Sequence, residues 1–272
     1  MSNTPTSTYR NILSCVFIFL FPCLQTLAAQ RDTAKTTTFR FKTVVIDAGH
    51  GGKDPGAPGS YSVEKNITLA IAKKLRRVLT EEMPSLNIIM TRNDDTFIPL
   101  SRRSEIANEN HGNLFVSIHC NSSPAGTGAS HKGAEILVYG LHRSKEQFEA
   151  IRENASISYE KDYKTKYAAY DENNPANQII LNLYMQKYRK QSIIFGEMLS
   201  KNFIELDDRK SMGVKEQGVL VLAHSAMPAV LIEPAYINNH DEEDYLNSEA
   251  GQDAIVRDIV SAIKSYKKQL SS

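Results

Sequence analysis

Three apolar runs in this chain end in residues that carry chemistry. Val44-Val45-Ile46 runs into Asp47-Ala48-Gly49-His50. Leu114-Phe115-Val116-Ser117-Ile118 runs into His119-Cys120-Asn121, and Ala229-Val230-Leu231-Ile232 runs into Glu233-Pro234. Short β-branched runs bounded by turn residues predict buried strands. Further strands are predicted over Asn87 to Thr91, Gly133 to Tyr139 and Val219 to Ala223. Helical spacing appears between them. Ile67, Ile71, Leu75 and Val78 share one face, and Leu100 to Asn108 gives a shorter helix. Ile194, Phe195, Met198, Leu199 and Phe203 form another apolar face, and Ile255, Ile259 and Ile263 mark a closing helix. Gly49 to Gly59, rich in Gly and Pro, is a loop. Strands alternating with helices predict an α/β fold, a single domain over residues 43–270 with helices flanking a largely parallel or mixed sheet.

The rhythm breaks between His142 and Lys190, where Glu, Lys, Tyr and Asn dominate and large apolar residues are few until Ile179. This stretch, residues 142–190, reads as a helical insertion. It predicts an amphipathic helix around Lys145 to Ile157, a mobile tyrosine-bearing loop, and a helix restarting near Pro175.

The amino-terminal segment belongs to a different class of sequence. Arg10 precedes an apolar stretch from Ile12 to Leu24, and Thr26-Leu27-Ala28-Ala29 follows. A basic start, a short apolar middle and small residues at the end predict a secretory signal peptide over residues 1–29. The stretch is short for a membrane span, which needs about 20 apolar residues. A Thr-rich linker over residues 30–42 follows. The mature chain is therefore expected without a transmembrane span, exported to the periplasm or cell envelope. Net charge is +1, which removes the electrostatic argument for a nucleic-acid partner. Cys15 and Cys23 fall in the leader, so Cys120 is left alone and no internal disulfide is expected.

The strand ends bring the chemistry into focus. Ligand sites of α/β sheets collect at the carboxyl ends of strands. His50 and His119 lie at two such ends, Glu233 at a third, and Glu64 opens the helix after the Gly-rich loop. A catalytic zinc takes three protein ligands and keeps one position for water. His50, Glu64 and His119 are the candidate ligands, and Glu233 is free to act as general base. Strand-end histidines also serve structural ends, and the set lacks the compact His-Glu-x-x-His spacing. The residues alone leave both readings open.

The words around these residues narrow the choice. Val45-Ile46-Asp47-Ala48-Gly49-His50-Gly51-Gly52-Lys53-Asp54-Pro55-Gly56-Ala57 resembles the opening motif of the zinc-dependent N-acetylmuramoyl-L-alanine amidases of the amidase-3 family. The likeness continues through Glu64-Lys65-Asn66, Thr91-Arg92, Leu100 to Asn108, Phe115 to Asn121, Gly218 to Leu222 and Pro228 to Asn239. It spans about Thr43 to Lys268. The resemblance implies a mixed sheet of about six strands, Zn2+ on His50, Glu64 and His119, and Glu233 as catalytic glutamate. It implies hydrolysis of the amide between N-acetylmuramic acid and L-alanine in peptidoglycan, in wall remodelling or cell separation. A zinc carboxypeptidase acting on stem peptides and a non-catalytic wall-binding protein are the competing readings; the complete residue set argues against the second. Two positions depart from the family pattern. Pro234-Ala235-Tyr236 follows the catalytic glutamate, where Pro234 stiffens the backbone. Cys120 stands where Ala is common, and its thiol beside His119 is a candidate for oxidant sensitivity.

Other polar residues have weaker claims. Asn121 is a candidate substrate contact. Arg103 either reaches the peptide stem or fixes its helix against the loops. Asp47 orients a ligand imidazole or caps the turn. Some members of the resembled family carry an inserted helix at residues 142–190, moved by a coiled-coil activator protein. Arg152-Glu153-Asn154-Ala155 resembles part of it. Glu149 and Glu153 are then the candidates for a carboxylate that fills the open metal position and holds the enzyme autoinhibited.

Overall fold

Strand β1 (Thr43–Ala48) is buried at every residue. Its side chains alternate: Val44 and Ile46 join the larger of two apolar clusters, while Val45 joins the other. The remaining central strands divide in the same way, because successive side chains on a strand face opposite sides. Both faces are therefore covered, as a near-continuous apolar run requires. The computed structural model describes residues 40–124, 131–140, 148–161, 163–167 and 175–271. The predicted signal peptide, most of the predicted linker, His142 and much of the predicted tyrosine-bearing loop lie outside the described residues.

Helix α1 (Glu64–Glu82) follows the Gly-rich loop and buries Ile67, Ile71, Leu75 and Leu79. The chain continues through β2 (Asn87–Met90), α2 (Leu100–Glu109), β3 (Leu114–Ile118) and β4 (Ala134–Tyr139). The insertion supplies α3 (Phe148–Asn154), a 3-10 turn (Ala155–Tyr159) and a short α4 (Tyr163–Lys166). Helix α5 (Pro175–Glu205) starts at a proline, as a first helical turn permits. Then come β5 (Ser211–Gln217), α6 (Leu220–Ala223), β6 (Ala229–Glu233), α7 (His240–Asn247) and α8 (Glu249–Leu270).

The six strands form one mixed sheet in the order β2-β1-β3-β6-β4-β5. β1, β2, β3 and β6 run parallel, while β4 runs antiparallel to β6 and parallel to β5. The carboxyl ends of β1, β3 and β6 therefore share one edge with the amino end of β4. One face packs against α1, α8 and the Phe195, Leu199 and Phe203 side of α5. The other carries α2 and α6.

Two expectations need correction. Val219 to Ala223 is not a strand; Leu220–Ala223 is a helical turn whose Val221 and Leu222 are buried. Asn154 holds it in place, accepting from Leu220 N–H and donating to Gly218 O, both at 2.8 Å. The strand lies earlier, at Ser211–Gln217. It is an edge strand, bonded only to β4 among the described residues, and its polar sequence reflects that position. The predicted helix over Lys145 to Ile157 ends at Asn154 and tightens into the 3-10 turn.

Candidate active site

His50 is delivered by a strained loop. Its φ is 59°, a left-handed conformation that costs a residue with a β-carbon about 1–3 kcal/mol. Reciprocal backbone bonds between Gly51 and Asp54 close the turn, and His50 Nδ1 donates to Asp54 Oδ2 at 2.9 Å. That bond turns Nε2 inward, the usual way an acidic partner orients a ligand imidazole. Gly56 is required at its position: φ is 69°, and a Cβ would lie 2.6 Å from both Glu64 Oε2 and His50.

Glu64 sits on the first turn of α1 and is fully buried. Ala57 N–H donates to its Oε2 and Cys120 N–H to its Oε1, both at 2.8 Å. Burial opposes the charge, but His50 and His119 outweigh it and draw the carboxyl down to about 2. Glu64 Oε2 lies 3.1 Å from His50 Nε2, and Oε1 lies 3.2 Å from His119 Nδ1.

The fourth member comes from the insertion. Glu153 Oε2 lies 2.6 Å from His119 Nδ1 and 3.4 Å from His50 Nε2. One donor atom from each of His50, Glu64, His119 and Glu153 lies within 4.8 Å of the others, and all four residues are buried. His50 Nε2 and Glu153 Oε2 are paired only within this cluster. Two imidazoles and two carboxylates turned on one another at such spacing suit a divalent cation of the zinc type. Burial opposes a charged imidazole at His119, but the Glu153 carboxylate overrides it and raises the ring to about 9.

Glu233 ends β6 and is fully buried. Burial pushes its carboxyl up to about 8, against the pull of Arg152. Arg152 Nη2 donates to Glu233 Oε1 at 2.6 Å, Nε to Glu153 Oε1 at 2.7 Å, and Nη1 to Asn121 Oδ1 at 2.8 Å. Glu233 Oε2 has no hydrogen-bond partner among the described residues. Pro234 leaves β6 intact through Glu233, which pairs with Glu135 of β4.

The structure brings together His50, Glu64, His119, Glu233, Asn121 and Glu153. It keeps others apart. Arg103 is 1% exposed, and its guanidinium donates to Asp47 Oδ1 and to the carbonyls of Ile98, Ala48 and His50 at 2.6–3.0 Å. It fixes the end of β1 rather than reaching outward. Glu149 bonds Gln217 Nε2 and stays out of the cluster. Asp47 is engaged by Thr91, Ser117 and Arg103 and orients no imidazole. Cys120 is fully buried, which argues against an oxidant-sensitive thiol. Burial, then the charges of Glu64 and Glu233, push that thiol well above its ordinary range. Sequence reasoning assigned no role to Arg152 or Asp54. The signal for Asp54 lies four residues after His50, and for Arg152 immediately before Glu153.

The sequence pattern of the N-acetylmuramoyl-L-alanine amidase (amidase-3) family matches residues 44–265. The amidase AmiA of Escherichia coli (strain K12) is 32% identical over 228 residues, covering 83% of this chain and 76% of its own. A putative N-acetylmuramoyl-L-alanine amidase of Buchnera aphidicola (subsp. Baizongia pistaciae) is 32% identical, with 82% and 95% covered. Among solved structures, an N-acetylmuramoyl-L-alanine amidase of Clostridium difficile 630 superposes with a TM-score of 0.62 at 26% identity, covering 84% of this chain and 97% of its own. The catalytic domain of the amidase CwlV from Bacillus (Paenibacillus) polymyxa gives 0.57 at 28% identity, with 83% and 97% covered. Fold and residue set define a class of amide hydrolase on an α/β sheet, with a buried group of two histidines and two glutamates that could hold a metal ion. This chain belongs to the N-acetylmuramoyl-L-alanine amidase family.

Proposed function

We propose that this chain is a zinc-dependent hydrolase cutting the amide between N-acetylmuramic acid and L-alanine in peptidoglycan, held inactive by its own insertion. The observation that carries this reading is the buried quartet of His50, Glu64, His119 and Glu153, with Glu233 at the next strand end. His50, Glu64 and His119 are the resident ligands. Zinc, when bound, supplies Lewis acidity toward water and the substrate carbonyl. Glu233 takes the proton of the attacking water and returns it to the leaving amine. Its raised carboxyl suits both duties near neutral pH.

The insertion opposes each requirement. Glu153 stands where the fourth ligand belongs, and Arg152 occupies Glu233. Behind them Ser156 donates to Asp54, and Lys53 Nζ donates to Tyr159 O. Glu160 accepts from Leu100 N–H at 3.2 Å. Activity requires this segment to move. A coiled-coil activator, of the kind the family resemblance implies, has apolar handles to grip. Ile151 on α3 is 68% exposed, and Ile179 and Leu183 at the start of α5 are 61% and 57% exposed. The apolar leader at residues 12–24 supports export to the periplasm or cell envelope, where peptidoglycan is found.

The test is digestion of purified peptidoglycan with products read by mass spectrometry, comparing the chain with variants lacking residues 144–175 or carrying Glu153→Ala. Release of stem peptides beginning with L-alanine, faster in both variants and lost with a chelator, is the expected result. Trimmed stem peptides still joined to muramic acid would move the reading to a carboxypeptidase. Release no faster in either variant would sink the autoinhibition.

A further inference from the structure

Glu135 is a buried carboxylate that the reading above leaves without a task. It stands at the amino end of β4, in register with Glu233 on β6, and is fully buried. Its Oε1 pairs with Lys215 Nζ of β5, and its Oε2 accepts from Asn121 Nδ2 at 3.1 Å. Asn121 is 1% exposed, and its backbone is clamped. The Asn121 N–H donates to Ala235 O at 2.9 Å, and its carbonyl accepts from Ile237 N–H at 2.8 Å. The freedom left to its side chain is a flip of the carboxamide, which exchanges an acceptor for a donor. Two neighbours decide the flip: Glu135, paired with Lys215, draws Nδ2, and the Ser122 N–H donates to Oδ1 at 2.8 Å. Nδ2 turns to Glu135, and Oδ1 turns to Arg152 Nη1 at 2.8 Å.

The Arg152 contact measures what this orientation is for. The same guanidinium donates to Glu233 Oε1 at 2.6 Å. A guanidinium is a small rigid fork, so Asn121 Oδ1 and the oxygen of the base face one small volume. Once Arg152 withdraws, two acceptors point into that volume. Glu233 meets the proton of water, and Asn121 Oδ1 meets an N–H.

We propose that Glu135 is a positioning residue for the amide hydrolysis, holding the Asn121 carboxamide so that its oxygen accepts the N–H of the amide that is cut. The proposal rests on the amidase reading. In a trans amide the N–H and C=O point in opposite directions. Anchoring the N–H on Asn121 therefore turns the carbonyl oxygen away from Asn121.

The test uses the full chain carrying Glu153→Ala, with Glu135→Gln added. A carboxamide has one oxygen, and Lys215 Nζ, a pure donor, claims it. The new NH2 then opposes Asn121 Nδ2, and Asn121 either flips, setting its NH2 against the Ser122 N–H, or swings off its line; either way its oxygen no longer meets the substrate N–H. The expected result is a fall in kcat of about tenfold or more, the loss of a hydrogen bond with a buried partner left unmatched, with the fold retained by circular dichroism. Adding Lys215→Met releases the new oxygen to face Asn121, and the rate recovers. The 15N signal of the Asn121 side-chain amide moves in the single variant and returns in the double. A structural role alone gives the opposite order, the second substitution deepening the loss. Normal release with no response to Glu135→Gln overturns this proposal alone. No release of L-alanine-terminated peptides by the parent overturns the amidase reading and this proposal with it.

Discussion

Arg152 Nη2 stands 2.6 Å from Glu233 Oε1, while the next residue, Glu153, places Oε2 2.6 Å from His119 Nδ1. Two adjacent residues of α3 thus engage the proposed base and the proposed metal position together. Glu153→Ala removes the blocking carboxylate and is expected to raise peptidoglycan release by about tenfold or more, as when a competitor leaves a site. Arg152→Ala frees Glu233 but keeps Glu153 in place, so its rise is smaller. Initial rates of muropeptide release from the full chain and both variants check this order. Equal rates in all three would show that α3 is only a wall of the substrate groove.

Glu233→Gln keeps the shape of the side chain and removes the proton acceptor. Positioned proton transfer contributes roughly 10² to 10⁴ in rate, so kcat is expected to fall by that factor. The test is made in the Glu153→Ala background, with circular dichroism confirming the fold. A loss of less than tenfold would place the base elsewhere.

Chelation and His50→Ala probe the metal independently of turnover. The full chain is expected to bind one zinc ion per molecule and to lose it in His50→Ala. Added zinc should raise the melting temperature of the apo protein, because a ligand at a thousand times its Kd stabilises the folded state by about 4 kcal/mol. Metal analysis after dialysis and a melting curve with and without zinc give the answer. Full zinc content in His50→Ala would displace that residue from the ligand set.

The central strands and the residues at their ends were legible in the sequence because long-range order there follows local rules. An apolar run ends, a turn begins, and the chemistry sits at the junction. His50, His119 and Glu233 are all of that kind. Glu64 was legible from its place at the start of α1. Arg103 was harder, because an arginine before a strand fits either a buried clamp or a substrate contact; only the carbonyls of Ile98, Ala48 and His50 decide it. β5 was missed because an edge strand needs little apolar content. Val219 to Ala223 misled because its uninterrupted apolar run, rich in valine and leucine, serves a buried helical turn pinned by Asn154. Glu135 was invisible because its partners Asn121 and Lys215 lie on separate parts of the chain.

Cys120 should be inert while the protein is folded. Its thiol is fully buried, and burial with the neighbouring carboxylates keeps it protonated. The thiolate is the reactive form. The chain without residues 1–29, whose one cysteine is Cys120, is expected to resist iodoacetamide at pH 8 and to react once unfolded in guanidinium. Stoichiometric labelling of the native state, read by intact mass, would mean that the site opens far enough to expose β3's end.

Asp258 supplies a pH dependence remote from the site. It lies on α8, fully buried, and both carboxylate oxygens lack hydrogen bonds among the described residues; Arg257 Nε is 3.6 Å from Oδ1. Burial, then the charge of Asp207, raises its carboxyl from 3.8 to about 7. Between those values the folded chain holds a proton that the unfolded chain has released. Stability contributed by this group therefore falls as pH rises through that window and stays lost above it. The cost at pH 8 is on the order of a few kcal/mol. Asp258→Asn carries no charge to bury, so it should melt higher than the parent at pH 8 and nearly level with it at pH 4. Melting curves across pH 4 to 8 test this: the gap between the two proteins should open as pH rises, and a gap that is constant across the range would mean Asp258 is ionised throughout and paired more strongly than its geometry indicates.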